Sequence, residues 1–197
     1  MVESGADAIG MVFYPPSQRC ISPEQAGRLA AQIPAFVTTV GLFVNPAAHE
    51  VEQVLQHRAA DLLQFHGEES PELCRQFQRP YIKAFRVGAP GLETAESLLA
   101  QCRRYPDARG WLFDSYTVAY GGSGESFDLQ LLQQMQLLCN DEDAPIILAG
   151  GLTVANIRQK VAQLRPYAVD VSSGIELAPG IKCPIKIAEF AHLLADA

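Results

Sequence analysis

The sequence has no lysine- or arginine-rich run, and its 15 basic residues are outnumbered by 22 acidic ones, for a formal net charge of −7. Nucleic acid and acidic membrane surfaces are bound through clustered positive charge, so this balance argues against both as partners. A single phosphate is not excluded, because helix N-termini and loop amides act on an anion locally whatever the net charge. No apolar run approaches the length of a membrane span, and the first residues do not read as a signal peptide. The five cysteines are scattered, without a C-x-x-C pair. That pattern fits reduced thiols in a cytoplasmic protein and not a disulfide framework. No linker or low-complexity stretch divides the chain. What is present is ordinary globular composition, 48% hydrophobic and 19% charged over 197 residues. That is enough for one domain, residues 1–197, with a sizeable core.

Strand-like and helix-like segments alternate along that length. Ala8–Phe13, Thr38–Val44, Leu62–Phe65, Tyr81–Val87, Gly110–Asp114, Ile146–Leu148 and Ala168–Val171 read as strands. Ser22-Pro23-Glu24-Gln25 has the marks of a helix start: Ser at the N-cap, Pro at the first helical position and Gln to complete a capping box. That helix is expected to run to about Ile33, where Pro34 stops it. Asn45-Pro46 is expected to cap a helix with Val51, Val54 and Leu55 on one face. Ser70-Pro71 opens the next, and others are expected from about Leu92 to Arg103, over Phe127–Leu132, and from about Pro184 to Leu194. Strict alternation means a parallel sheet with crossover helices, an α/β fold. Seven strands are counted where a TIM (β/α)8 barrel has eight. Val2–Asp7 reads as the end of a helix with Gly5 at its C-terminus. A strand and a helix are therefore expected to precede it, and the barrel to be N-terminally truncated by its first βα unit.

The most informative stretch is Pro145-Ile-Ile-Leu-Ala-Gly-Gly-Leu-Thr153, together with its echo Tyr167-Ala-Val-Asp-Val-Ser-Ser-Gly-Ile-Glu176. In each, a buried-type strand ends in small residues and leads toward a helical segment. Gly150 and Gly151 let the backbone turn sharply and approach a ligand, and Thr153 is a candidate N-cap for the helix that follows. Turn geometry alone would account for one Gly-Gly pair. Two consecutive units of this form point to a phosphate grip at Gly150, Gly151, Ser173 and Gly174, where loop N–H groups face an anion. In (β/α)8 barrels that grip follows the last two strands.

Six stretches carry a family resemblance: Gly5–Arg19, Val40–Asn45, Leu63–Gly67, Phe113–Ser115 with Gly121–Asp128, Leu148–Leu152 and Val169–Glu176. In that order they resemble phosphoribosylanthranilate isomerase, a barrel enzyme of tryptophan biosynthesis, from one end of the chain to the other. The resemblance implies an Amadori rearrangement of N-(5-phosphoribosyl)anthranilate to the 1-deoxyribulose 5-phosphate product, with no metal or redox cofactor. It matches the general acid to Asp114, at the end of an apolar strand where burial would raise a carboxyl pKa. It matches Arg19 to the anthranilate-binding arginine, a fork suited to a carboxylate. His66 is either a substrate contact or a loop-ordering residue. Asp170 either orders the phosphate loop or faces the substrate amine. Family members carry their catalytic cysteine in a Lys-x-Cys-Gly motif, and none of Cys20, Cys74, Cys102, Cys139 or Cys183 stands in that context. The resemblance therefore also implies weak or absent turnover in this chain; of the five cysteines Cys20, beside Arg19, is the one expected nearest the mouth of the site, and a loop thiol would stand in for the base only if it came within hydrogen-bond reach of the C2 proton. Two other readings remain open from the sequence: another phosphate-binding barrel enzyme of histidine or indole biosynthesis, and a non-catalytic assembly module. The expected partner is a small phosphorylated molecule, and self-association through open sheet edges is expected.

Overall fold

Apolar runs bounded by proline, glycine and capping residues fold as short parallel strands joined by crossover helices. The computed structural model describes residues 1–115 and 129–195. Two compact units divide the chain, Met1–Lys83 and Ala84–Ala197, and the boundary falls inside the strand Tyr81–Val87.

In the first unit a short 3-10 turn, Val2–Ser4, ends at Gly5 in the left-handed conformation (φ 88°), the helix-end signal expected of that glycine. Strands β1 (Ala8–Val12), β2 (Thr38–Phe43), β3 (Leu62–Phe65) and the start of β4 (Tyr81–Val87) pair in parallel in chain order. The register sets Ala8 beside Thr38, Val40 beside Leu62 and Leu63 beside Tyr81. Helices α1 (Pro23–Ala30), α2 (Ala48–Gln56) and α3 (Pro71–Arg75) connect them. Strand alternation sends Phe13, Phe43, Phe65 and Tyr81 to one face. There Phe43 packs between Phe13 and Phe65, with ring centroids 5.3 and 6.2 Å away, and Phe65 meets Phe77 and Tyr81 at 6.1 and 6.0 Å. Gly41 has no side chain because Phe13, Phe43 and Ala60 close over it; a Cβ there would lie 3.0–3.3 Å from all three.

The N-caps follow the sequence at α1 and α3, where the Ser22 and Ser70 hydroxyls accept the Gln25 and Leu73 N–H groups, but the Gln25 side chain does not return to the Ser22 N–H to complete the expected capping box. Helix α1 stops at Ala30, short of Ile33. Asn45 is not the cap of α2. It sits in the left-handed region (φ 48°), and its side-chain oxygen accepts the Glu68 N–H at 2.7 Å. The chain enters α2 two residues later at Ala47, whose N–H donates to the Glu50 carboxylate.

In the second unit the rest of β4, β5 (Trp111–Ser115), β6 (Ile146–Leu148) and β7 (Ala168–Val169) lie in chain order. Trp111 pairs with Ile146 and Ile147 with Ala168. Helices α4 (Ala95–Cys102), α5 (Gln130–Leu138), α6 (Ile157–Leu164) and α7 (Pro184–Ala195) pack on them. Phe85 stacks on Phe113 at 5.8 Å and meets the edge of Tyr105 at the same distance. The expected loop Tyr120–Gly124 and the first residues of the helix expected at Phe127 lie outside the described residues. Strand β7 is shorter than expected, although Asp170 N–H still donates to the Leu148 carbonyl and carries the ladder one residue further. A hairpin absent from the sequence reading, β8 (Glu176–Ala178) with β9 (Ile181–Lys182), turns antiparallel through Pro179-Gly180 before α7.

Candidate active site

In the second unit three strand ends meet through glycine. Trp111, Leu112 and Phe113 are each at most 1% exposed, and they deliver a half-buried Asp114 to the C-terminal end of β5. Asp114 Oδ1 accepts the Ser115 N–H at 2.7 Å. The loop leaving β6 is seated directly on this pair. A Cβ on Gly150 would lie 2.6 Å from Ser115 Oγ, 2.7 Å from Ser115 N and 2.9 Å from Asp114 Oδ1. Gly150 also holds φ 75° and Gly151 φ 62°, a pair of left-handed residues that side chains rarely adopt. The loop leaving β7 closes against the same segment, because a Cβ on Gly174 would run into the Leu152 carbonyl.

Ser173 and Gly174 begin a single 3-10 turn, Ser173–Ile175, and the first N–H groups of a helical turn have no partner inside it. Gly150 and Gly151 likewise find no backbone acceptor among the described residues. The expected grip residues Gly150, Gly151, Ser173 and Gly174 are thus brought together in two touching loops with N–H groups to spare. Thr153 is not the N-cap of the next helix. Its N–H donates to Asn156 Oδ1 at 2.9 Å, Asn156 Nδ2 donates to the Gly151 carbonyl at 2.8 Å, and α6 begins only at Ile157 with Asn156 as cap. Asn156 therefore braces the glycine turn as well as opening the helix. Asp170 is exposed, at the end of β7 and two residues before Ser172.

In the first unit Arg19 is half-buried in the loop after β1, with its N–H on Ser17 Oγ at 3.2 Å. His66 follows β3 and is half-buried, its Nδ1 3.0 Å from Gln64 Nε2. With the amide donating, Nδ1 is the acceptor and the ring proton sits on Nε2. The loop that holds His66 is built on a buried ion pair that the sequence reading passed over. Lys83, 2% exposed, lies 3.3 Å from Glu69 Oε2, and Glu69 is 3% exposed. The Lys83 ammonium donates to the Gly67 carbonyl at 2.7 Å and the Phe65 carbonyl at 3.3 Å. The Glu69 carboxylate accepts the N–H groups of Gly67 and Asn45. A lysine in the middle of the apolar run Tyr81–Val87 was the available signal, since a charge buried in a strand demands a partner.

The cysteines do not assemble into a reactive group. Cys74 and Cys102 are fully buried, and burial pushes the Cys74 thiol up to about 12. Cys20 is exposed, and partial desolvation raises its thiol above the ordinary value, only partly offset by a backbone contact from Tyr14. No cluster of three or more His, Cys, Asp or Glu side chains suited to a metal occurs among the described residues. No described helix is long and apolar enough to cross a membrane.

Comparison with known proteins places the chain in a family. A family model for N-(5'phosphoribosyl)anthranilate (PRA) isomerase matches residues 1–192. An N-(5'-phosphoribosyl)anthranilate isomerase of Bordetella pertussis is 55% identical over 186 residues, covering 94% of this chain and 84% of that protein. One of Pseudomonas syringae pv. tomato is 50% identical over 189 residues, covering 95% and 86%. Among solved structures, phosphoribosyl anthranilate isomerase from Thermotoga maritima superposes with a TM-score of 0.85 at 38% identity, over 100% of this chain and 91% of that one. A phosphoribosyl anthranilate isomerase in complex with reduced 1-(o-carboxyphenylamino)-1-deoxyribulose 5-phosphate gives 0.81 at 36% identity, with the same coverages.

Proposed function

Because the chain belongs to the N-(5'-phosphoribosyl)anthranilate isomerase family, we propose that its site binds the phosphoribosyl and anthranilate ends of that substrate and is built for an Amadori rearrangement. The ribose 5-phosphate is held by the N–H groups of Gly150, Gly151, Ser173 and Gly174. Asp114 protonates the furanose ring oxygen, so that the ring opens to a Schiff base. A general base then removes the C2 proton, and the resulting enolamine tautomerises to the ketone. Arg19 pairs with the anthranilate carboxylate, His66 presents its Nε2–H to the substrate, and Asp170 orders the phosphate loop or receives the substrate amine. The enzyme is cytoplasmic in this reading.

The observation that carries the proposal is the seating of Gly150 on Asp114 and Ser115. It ties the anion loop to the acid, so that one rigid segment sets the distance between phosphate and ring oxygen. Such positioning supplies much of the rate in reactions that need no cofactor.

The base is the weak point of this 197-residue chain acting alone. No cysteine stands in a Lys-x-Cys-Gly context, and Cys20, with its raised thiol pKa, is protonated at neutral pH and a poor proton acceptor. Loss of a general base costs about 10²–10⁴-fold. The expected result is turnover near background with the product analogue still bound. Turnover in the ordinary range of roughly 1–10³ per second would overturn the crippled reading, and Cys20→Ser would then show whether that thiol acts.

A further inference from the structure

The turn Ser173–Ile175 is too short to hold itself, since one turn of 3-10 helix makes few bonds of its own. It is held from outside, by the hairpin and the start of α7. Cys183 N–H donates to the Ile175 carbonyl at 2.8 Å. The Lys182 ammonium donates to the Ser172 carbonyl at 3.1 Å and lies 2.9 Å from Glu176 Oε1. The Lys186 ammonium donates to the Glu176 carbonyl at 2.8 Å. Glu176 is 6% exposed, and the antiparallel register sets it directly opposite Lys182. A carboxylate so buried is tolerated only when paired and hydrogen-bonded.

We propose that Lys182 and Glu176 are positioning residues for the substrate phosphate, acting through the Ser172–Ser173 peptide unit. The inference rests on the phosphate reading of these loops. In a planar trans peptide the carbonyl and the following N–H point in opposite directions. A cation fixed on the Ser172 carbonyl therefore fixes the direction of the Ser173 N–H. The same charge polarises that peptide and makes its N–H a stronger donor. Glu176 holds the ammonium in place and neutralises it, so Lys182 does not serve as the counter-charge of the anion. Lys186 and Cys183 complete the frame by occupying the carbonyls on the far side of the turn. The Ser172, Ile175 and Glu176 carbonyls are thus engaged, and the N–H groups of Ser173 and Gly174, with no backbone acceptor among the described residues, are left for the ligand.

The test is calorimetric binding of three probes to the folded 197-residue chain: inorganic phosphate, reduced 1-(o-carboxyphenylamino)-1-deoxyribulose 5-phosphate, and the dephosphorylated form of that analogue. Lys182→Met is expected to weaken the two phosphate-bearing probes by about tenfold or more, the weight of a charge-assisted hydrogen bond, and to leave the dephosphorylated analogue within about twofold. Lys182→Arg is expected to restore most of the loss, and Lys182→Gln to fall between. Should the Met variant fail to fold, the Gln-to-Arg comparison carries the measurement. Equal losses for all three probes would mean a merely structural lysine and overturn the proposal. Gly151→Asp, which sets a carboxylate against the anion, separates the two levels of the reading. Phosphate lost in Gly151→Asp but kept in Lys182→Met removes the positioning role and leaves the phosphate site standing. Phosphate kept in both removes the phosphate site itself.

Discussion

At the residue scale, the side chains that matter are those whose chemistry has no substitute. Gly150 has two independent reasons to be glycine, a left-handed φ of 75° and a backbone neighbour at 2.7 Å, and either alone would make alanine costly. Arg19 is the clearest single test of the anthranilate end. A guanidinium fork on a carboxylate contributes about 1.5–3 kcal/mol where it is made, and lysine lacks the planar two-donor geometry. Arg19→Met is expected to weaken the reduced product analogue by roughly tenfold to a hundredfold, with Arg19→Lys recovering only part. An analogue without the ring carboxylate should bind parent and variant alike. If Arg19→Met costs both analogues equally, the arginine orders its proline-rich loop and nothing more. The glycines were visible in the sequence because few residues can take their place in such turns, whereas Arg19 stood out only through the family resemblance. Asn156 and Asn45 stayed hidden because an asparagine side chain chooses among nearby backbone groups, and only the folded loop shows which it has taken.

At the element scale, the strands Leu62–Phe65 and Tyr81–Val87 were legible to the residue, because the first is bounded by the polar residues Asp61 and His66 and the second by Pro80 and Gly88. The hairpin β8–β9 was not, since strands of two or three residues carry no periodicity; Pro179-Gly180 was its one available signal. The Lys83–Glu69 pair was also missed, because its partners come from the loops after β2 and β3. It now ties those loops to β4. Lys83→Met would leave Glu69 buried without its cation. That is expected to cost about 3–5 kcal/mol, a large part of a typical total of about 5–15 kcal/mol. Lys83→Met with Glu69→Gln together should cost clearly less than Lys83→Met alone in denaturant unfolding, and a double variant as damaged as the sum of the singles would contradict the pairing.

A second ion pair joins the end of α4 to the loop after α5. Arg103 Nε and Nη2 donate to the two Asp143 oxygens at 3.0 and 2.8 Å. Those hydrogen bonds hold the Asp143 carboxyl below its usual range. A lowered folded pKa means stabilisation that is complete above the ordinary aspartate pKa and is lost as pH falls through the depressed folded value. Arg103 is 45% exposed, so solvent screening keeps the gain small. Asp143→Asn is therefore expected to melt slightly below the parent at neutral pH and to converge with it in acid. A gap that stays constant with pH would show that the charge is not involved.

At the scale of the whole molecule, the seven strands read from the sequence are the seven of the parallel sheet among the described residues, and their order follows the chain because each crossover returns the chain to the next position. What the sequence did not show is how the edge of the first unit is finished. β1 bonds to β2 through alternate residues, with Thr38 N–H on Asp7 and Phe13 N–H on Leu42. Ala8, Gly10 and Val12 therefore turn their backbone groups the other way. The Val12 carbonyl is taken by Ile21 N–H, where the chain doubles back at Cys20. Ala8 and Gly10 remain exposed, with no strand beside them among the described residues. A bare edge of that kind recruits another strand, and the expected recruit in purified protein is the same edge of a second copy. The magnitudes make such pairing weak. A few ladder bonds at about 0.5–1.5 kcal/mol each stand against an association cost of at least about 4 kcal/mol. Association should thus appear only as concentration rises, in light scattering, and not as a fixed dimer. Gly10 offers a clean block, because its φ is ordinary and a Cβ there meets nothing within 4 Å. Gly10→Lys is expected to leave the melting temperature nearly unchanged and to abolish the concentration dependence, since a charged side chain on an edge strand opposes pairing. A parent chain that scatters as a monomer at every concentration, or a Gly10→Lys chain that associates as readily as the parent, would place any contact between copies elsewhere.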